Sequence, residues 1–214
     1  MIPLARMLKY GAVQAKPILD IDFSLYELGM YSTITDESGT VFGRVGSDVE
    51  VVSSEEGNVM SFTGGGYFST PMVSGLELSS VAFEMRMIFK STVSTENIAF
   101  STGDYTSVPV AGFMVTLFNN LGSQFFSTDS AGAFHRSIFG YTSGTWRDLS
   151  FLWQPVSKVL IIYDNAAGAQ VGSYSIPEGF GNGTQMSIGA SYTRGLTNAF
   201  VGMIKSIKIT RIIL

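Results

Sequence analysis

Hydrophobic and polar residues alternate along much of this chain with a period of two, which is the spacing of a β-strand. In the segment VAFEMRMIFK, four apolar residues share one parity: Phe83, Met85, Met87 and Phe89. Most of their neighbours are charged, so the segment predicts a strand with one face in a core and the other in water. In GFMVTLF both parities are apolar. That pattern predicts a strand that is covered on both faces or that lines a concave surface with one of them.

A second apolar region, GTWRDLSFLWQPVSKVLIIYDN, predicts two strands joined by a turn at Pro155. Leu149, Phe151 and Trp153 share one parity in its first half, so Trp153 is expected in the core. Trp146 has the opposite parity and stands at the entrance of the strand. For Trp146 two interpretations stay open: packing in the core, or lining a ligand site.

Glycine turns join these strands, as in TDESGT, FTGGGY, FNNLGS, YTSGT and GFGNGT. The 214 residues include 24 Gly and 6 Pro, with 45% hydrophobic and 14% charged residues. No segment has a helical period, and no repeat or linker follows residue 18. The chain is therefore predicted to be all-β, with one sandwich domain from residue 19 to residue 214.

Composition excludes several partners and kinds of site. The net charge is −4 and no run of Lys or Arg occurs, so neither nucleic acid nor an anionic membrane surface is expected as a partner. The uncharged stretch 105–128 contains Pro, Asn and Gln, which argues against membrane insertion. The chain has no Cys and one His, His135, which is predicted to lie in an exposed loop and not to act as a base.

Residues 1–18 are predicted to form an N-terminal arm that anchors the protein in an assembly. Basic residues interrupt its apolar run, so it is not expected to be a cleaved signal peptide. The residues that we expect to contact a neighbouring subunit are Ile2, Leu4, Arg6, Leu8 and Tyr10. Exposed apolar surface of this kind is a liability in solution, which favours order against another chain. The alternative is an edge strand on the chain's own sandwich.

The order of these features resembles the laminin-G-like, concanavalin A-like jelly roll of lectins, pentraxins and many bacterial and phage surface proteins. The resemblance covers about residues 19–212, and its segments are LDIDFSL, TDESGT, GNVMSFTGGGYFSTP, FEMRMIFK, GTWRDLSFLWQPVSKVLIIYDN, MSIGA and FVGMIKSIKI. It implies a jelly-roll β-sandwich of two antiparallel sheets.

The last strand supports this fold independently. Phe200, Gly202 and Ile204 share one parity, whereas Ile207 and Ile209 share the other. A β-bulge near residues 205–206 would absorb the extra residue. The family often has acidic residues at this bulge and Gly where this chain has Asn165; Lys205 and Ser206 stand at the bulge here.

Catalysis is not expected. Glycosidases of this fold place carboxylates on alternate residues of one strand, and the Glu-x-Asp-x-x-Glu run is absent. The alternating pairs Asp20 with Asp22 and Asp48 with Glu50 are interpreted as structural. A nucleophile elbow, a phosphate loop and a zinc motif are also absent.

No cofactor or metal is predicted, because the acidic residues of the predicted turns are scattered: Asp36, Glu37, Asp104, Asp129 and Asp164. A glycan site would need aromatic and polar side chains at loop tips. The candidates for such a site are Tyr67, Tyr105, Tyr141, Tyr192 and Arg194. The alternative is that they are ordinary turn residues.

Together these features predict a non-catalytic structural or interaction protein of a bacteriophage virion, such as a tail or head accessory protein. It would assemble in the host cytoplasm with other virion proteins and with copies of itself, and it could attach to host-surface glycan. The alternative is a carbohydrate-binding, lectin-like module of a bacterial surface or secreted protein.

Overall fold

The computed structural model describes residues 14–47, 49–71, 78–93, 95–103, 112–117, 123–128, 133–140, 142–179, 181, 183, 185–191 and 196–213. These residues form two short 3₁₀ turns, Phe23–Leu25 and Leu78–Ser80, and seventeen strands. The strands are β1 Gln14–Asp22, β2 Gly29–Met30, β3 Thr33–Thr35, β4 Val41–Gly46, β5 Val49–Ser54, β6 Gly57–Thr63, β7 Gly66–Ser69, β8 Phe83–Ser91, β9 Asn97–Ser101, β10 Phe113–Leu117, β11 Ser123–Thr128, β12 Phe134–Phe139, β13 Arg147–Gln154, β14 Val159–Asp164, β15 Ala169–Ser175, β16 Ser187–Ile188 and β17 Val201–Ile213.

Two antiparallel sheets pack face to face, as the sequence predicts. The nine-stranded sheet has the order β15-β14-β13-β8-β17-β6-β5-β2, and β1 also pairs with β17. The eight-stranded sheet has the order β12-β11-β10-β9-β16-β7-β4-β3. Within the described residues, no helix is long and apolar enough to cross a bilayer.

The core lies between the sheets and contains the residues that alternation placed there. The alternate residues of β8 and β13 are fully buried: Phe83, Met85, Met87, Phe89, Leu149, Phe151 and Trp153. The indole Nε1 of Trp153 donates to the carbonyl oxygen of Ser79 at 2.8 Å, so this large side chain is buried without leaving its donor unpaired. All residues of β10 are buried, so of the two alternatives for this segment the structure shows the strand that is covered on both faces.

The bulge in the last strand is also confirmed. The pairing of β17 with β8 shifts register between Ile204 and Ser206, so Ile204 and Ile207 both face the core. On its other side, β17 pairs with β6 before the bulge and with β1 after it. The bulge therefore marks the point where β17 changes neighbours.

Strand pairing begins before the predicted end of the arm. β1 starts at Gln14, and Gln14 to Pro17 pair with Ile213 to Thr210 of β17. Residues 14–18 therefore belong to the sandwich as a strand, because their backbone groups complete the ladder of the last strand. The arm residues proposed to contact a neighbour, Ile2, Leu4, Arg6, Leu8 and Tyr10, lie outside the described residues.

Cross-strand ion pairs cover the outer face of the nine-stranded sheet. Arg86 of β8 contacts Asp148 of β13 at 2.5 Å, and Lys205 of β17 contacts Glu56 at 3.1 Å. Trp146 belongs to this surface: its Nε1 donates to Glu55 Oε1 at 2.7 Å, and Lys90 Nζ lies 5.9 Å from its ring centroid. Trp146 therefore packs against charged side chains on the surface and not in the core.

Candidate ligand-binding site

A cleft of about 250 Å³ lies on the outer face of the eight-stranded sheet, where β4 and β7 run side by side. It is lined by residues of both strands and by two neighbouring segments: Gly43, Arg44, Val45, Tyr67, Ser69, Thr70, Pro71 and Gln185. Its volume is below the range of pockets that hold drug-sized molecules, so it suits a small ligand or one unit of a larger one.

Strand register decides which side chains point into the cleft. Gly43 pairs with Ser69 and Val45 pairs with Tyr67, whereas Arg44 pairs with Phe68. Phe68 is buried between the sheets. Since side chains of paired residues share a face and successive residues alternate, Tyr67 and Ser69 point outward, toward the cleft.

Glycines bring the two strands together at the end of the cleft. Gly46 pairs with Gly66, and a Cβ on Gly66 would lie 2.0 Å from the carbonyl oxygen of Ser47. The Gly-rich turn therefore allows a close backbone approach, and β7 begins directly after it with Tyr67. This explains the local role of the TGGGY segment.

Gly43 leaves the middle of the cleft open. Apart from its chain neighbours, no described residue has an atom within 4 Å of a Cβ built on Gly43, and its φ is not positive. A larger side chain is therefore compatible with the backbone at this position, but it would fill the cleft.

Gln185 forms one wall of the cleft. It is 6% exposed, and its Nε2 donates to Ser69 Oγ at 2.7 Å and to the carbonyl oxygen of Thr70. Ser69 Oγ in turn lies 3.2 Å from Ser187 Oγ. Gln185 Oε1 is buried and has no hydrogen-bond partner among the residues that the structure describes. Such a group is rare in a folded protein and has a high capacity to accept a hydrogen bond.

Of the residues predicted to bind glycan, Tyr67 lines the cleft. It does so from a strand, and not from a loop tip as the sequence predicted. Tyr67 lies in strand β7, is 5% exposed and packs against Ala190 and Ala199. It is not a loop-tip residue, because β7 continues the ladder directly after the glycines. Tyr105, Tyr141, Tyr192 and Arg194 lie outside the described residues.

Sequence reasoning did not identify Gly43, Ser69 or Gln185. A Gly in the middle of the alternating segment VFGRVG was an available signal, because Gly inside a strand often marks close approach of another group. Gln185 had no comparable signal, since only the fold brings it beside Ser69.

Four of the acidic residues considered for metal binding or catalysis have structural partners: Asp20, Asp22, Asp36 and Asp164. Asp36 is buried and accepts hydrogen bonds from Ser38 Oγ and from the amide of Thr40, at 2.7 and 2.6 Å. Asp164 pairs with Arg147 at 2.7 Å. Within the described residues, no group of three His, Cys, Asp or Glu side chains could hold a metal ion. Asp48, Asp104 and Asp129 lie outside those residues.

The pair Asp20 and Asp22 also has structural contacts. Asp20 contacts Lys208 across β1 and β17, and Asp22 Oδ1 accepts from the amide of Ser24 at 2.9 Å, which caps the first 3₁₀ turn. The prediction of a loop at His135 is wrong, because His135 lies in strand β12 and pairs with Ser127 of β11.

The two antiparallel sheets, their strand order and the bulged last strand define the fold as a concanavalin A-like jelly-roll β-sandwich. Comparison with solved structures gives the same class. Domain 4 of AbnA, an extracellular GH43 arabinanase from Geobacillus stearothermophilus, in complex with arabinotriose, is similar with a TM-score of 0.66 and 17% identity. The match covers 92% of this chain and 93% of that one.

Two further β-sandwich structures illustrate the breadth of the likeness. The binding domain of botulinum neurotoxin serotype D/C has a TM-score of 0.65 at 13% identity, and the match covers 90% of this chain but 48% of that one. The CBM40 of the Ruminococcus gnavus IT-sialidase, bound to α2,3-sialyllactose, has a TM-score of 0.50 at 10% identity, with coverages of 67% and 88%. At these identities the likeness shows the fold alone. No family model and no curated protein sequence matches this chain.

Proposed function

We propose that this protein is a non-catalytic carbohydrate-binding module and that the cleft between β4 and β7 holds a sugar unit. The residues that line the cleft include an aromatic residue, Tyr67, a hydroxyl residue, Ser69, and an amide residue, Gln185. Sugars present both apolar C–H faces and hydroxyl groups, so they bind in clefts with this mixture of groups.

The unpaired Oε1 of Gln185 is the observation that carries this proposal. A buried acceptor without a partner costs about 1–3 kcal/mol, and a ligand hydroxyl that bonded to it would recover part of that free energy. Hydrogen bonds from Gln185 Nε2 to Ser69 Oγ and to the carbonyl oxygen of Thr70 fix the position of this side chain.

The absence of catalysis is part of the proposal. A glycosidase needs two carboxyl groups on either side of the scissile bond. Among the described residues, those that line the cleft include no Asp or Glu. The carboxylates Asp20, Asp22 and Asp36 are engaged elsewhere by Lys208, Ser24 and Ser38.

The names of two similar structures guide the choice of ligands, because one is in complex with arabinotriose and another is bound to sialyllactose. The test is a screen of immobilised glycans that includes both, followed by calorimetric titration of every sugar that binds. We expect binding that is lost in Gly43→Leu, because the new side chain fills the cleft while the strand stays folded.

A matched control is Gly140→Leu. Among the described residues other than its chain neighbours, Gly140 also has no atom within 4 Å of a built Cβ; its φ is not positive, and it is not among the residues that line the cleft. This variant should bind as the wild type does. If both variants bind sugar as tightly as the wild type, the sugar site lies outside this cleft. If no glycan binds in the screen, the proposed function is wrong.

The interpretation as a virion protein stays a prediction and is compatible with sugar binding. Its test is co-purification of the full chain with assembled particles. The interpretation is wrong if the chain remains in the soluble fraction while the particles lack it.

A further inference from the structure

Three large apolar side chains are exposed close together where the first 3₁₀ turn leads into strand β2. Leu25 is 73% exposed, Leu28 is 61% exposed and Met30 is 70% exposed. These three residues are called the apolar patch below. Single apolar residues are common on protein surfaces, but a group of neighbouring ones that water reaches marks a site of association.

The backbone beneath the apolar patch is fixed by hydrogen bonds. Asn58 Nδ2 donates to the carbonyl oxygen of Tyr26 at 2.8 Å, and Tyr31 Oη donates to the carbonyl oxygen of Glu27 at 3.0 Å. The rings of Tyr26 and Tyr31 also pack edge to face, with 5.4 Å between their centroids. The exposed side chains therefore stand on an anchored segment that presents them as one surface.

Carboxylates flank the apolar patch. Glu27 lies between Leu25 and Leu28 in the sequence, and Glu50 of β5 pairs with Met30 of β2. Both glutamates are exposed, and neither forms an ion pair within the part of the chain that the structure describes. This surface is therefore complementary to a partner that is both apolar and basic.

The N-terminal segment of the chain, residues 2–13, has this composition. It contains no acidic residue, and its large apolar and basic residues are Ile2, Leu4, Arg6, Met7, Leu8, Lys9 and Tyr10. We infer that residues 2–13 of one copy of the chain dock on the apolar patch of a second copy. The contact removes apolar surface of both partners from water, and the two basic residues complement the flanking carboxylates. The inference is independent of sugar binding.

The position of β1 favours a contact between copies over one within a single chain. Gln14 pairs with Ile213 at one end of β1, and Asp22 pairs with Ser206 at the other end, from which the chain continues to the patch. The nine residues of β1 span about 26 Å. A segment that turned back along β1 would use about eight of its residues to cover this distance, which leaves only residues 2–5 for the patch. The segment of a second copy can use its whole length.

The first experiment measures self-association of the full chain by sedimentation velocity over about a hundredfold range of concentration. We expect reversible association that weakens as salt is added, because exposed charges are screened. Leu28→Lys should weaken association by about tenfold or more, since it places a cation where the basic segment docks. Its melting temperature should equal that of the wild type, because Leu28 is exposed.

A matched control is Val156→Lys. Val156 is 97% exposed in the turn between β13 and β14, so the same cation replaces another exposed apolar side chain away from the patch. This variant should associate as the wild type does. Equal weakening by Val156→Lys and Leu28→Lys would assign the effect to net charge and would overturn the inference.

A mixing experiment shows whether the contact joins two copies. A full chain with Leu4→Asp and Leu8→Asp has an altered segment and an intact patch, whereas Leu28→Lys has an intact segment and an altered patch. Neither variant should associate alone. A fluorescently labelled Leu28→Lys chain should sediment as a one-to-one complex after the other variant is added. Sedimentation of the mixture as monomers would overturn the inference.

The variant Glu27→Gln with Glu50→Gln tests the contact without touching the apolar side chains. It should still associate, but the dependence of its association on salt should be smaller than in the wild type. This measurement remains decisive if Leu28→Lys fails to fold. An unchanged dependence on salt would overturn the charge complementarity, and a wild type that stays monomeric at every concentration would overturn the inference as a whole.

Discussion

At the scale of single residues, the two tryptophans show how position on a strand decides the role of a side chain. Trp153 is fully buried in the core and bonds to Ser79, whereas Trp146 lies on the outer face beside Glu55 and Lys90. The first contributes packing, and the second contributes a hydrogen bond to an exposed carboxylate.

Replacing Trp153 by Ala should therefore lower the free energy of unfolding by about 3–5 kcal/mol, because a large cavity forms in a close-packed core. Trp146→Ala should cost less than about 1 kcal/mol, since it removes a surface contact. Reversible unfolding in urea measures both. Equal losses in the two variants would contradict the different environments of these side chains.

At the scale of strands, Asp148 links β8 to β13 and connects their pairing to pH. Burial alone would raise the pKa of Asp148, but hydrogen bonds from Arg86 and Asn165, together with the charge of Arg86, outweigh burial and lower the pKa below its ordinary value. Asn165 Nδ2 donates to Asp148 Oδ1 at 2.9 Å. The side-chain amide of Asn165 thus stabilises the carboxylate of Asp148.

A lowered pKa in the folded state means that the carboxylate stabilises the fold above the ordinary pKa of Asp and loses this effect as the pH falls through the lowered value. Asp148→Asn should cost about 1 kcal/mol at pH 7. The difference from the wild type should shrink as the pH falls from about 5 toward 2. Denaturant unfolding at a series of pH values tests this, and a difference that is independent of pH would contradict it.

The bulge of β17 makes a second prediction at this scale. Deleting Lys205 joins Ile204 and Ile207 through one residue, which preserves the inward parity of both. If Lys208 is deleted, Ile209 can stay inward only if the strand gives up its bulge. Without the bulge, Ile207 would point outward and Ser206 would point into the core.

We therefore expect the Lys205 deletion to remain cooperatively folded. The Lys208 deletion should be less stable than it by about 3–5 kcal/mol, because it empties a core position and buries a hydroxyl. Thermal unfolding followed by circular dichroism compares the two variants. Similar melting temperatures would show that the bulge does not accept the loss of a residue better than the regular strand does.

Strands and core positions were predictable from the sequence because each is indicated by a pattern within a few consecutive residues. The alternation at Phe83–Phe89 and the parity change at Ile204–Ile207 follow from the period of a strand and nothing else. The cleft was not predictable in this way. It depends on the register that sets Gly43 opposite Ser69 and on a contact between Gln185 and Ser69 that joins distant parts of the chain.

At the scale of the whole molecule, β1 connects the N-terminal segment to the last strand. Removing residues 2–13 leaves every described pair of β1 intact, so the free energy of unfolding should change by less than about 0.5 kcal/mol. Removing residues 2–16 also deletes the partners of Ile213, Ile212 and Arg211 and should cost about 1–2 kcal/mol.

The shorter deletion also tests the anchoring role of the arm. A folded chain without residues 2–13 should be absent from purified assemblies that incorporate the full chain. Normal incorporation of the truncated chain would exclude the arm as the anchor, and unfolding or aggregation would show that these residues belong to the core of the domain itself.

Gly43 has a consequence for how this protein responds to selection. Glycine inside a strand lowers stability by about 0.5–1 kcal/mol relative to alanine, and at this position neither backbone strain nor a neighbouring atom requires it. Any larger residue would stiffen β4 while occupying the cleft. Directed evolution for heat resistance alone should therefore enrich substitutions at Gly43 and erase recognition, so a durable version of this domain has to be selected with its ligand present.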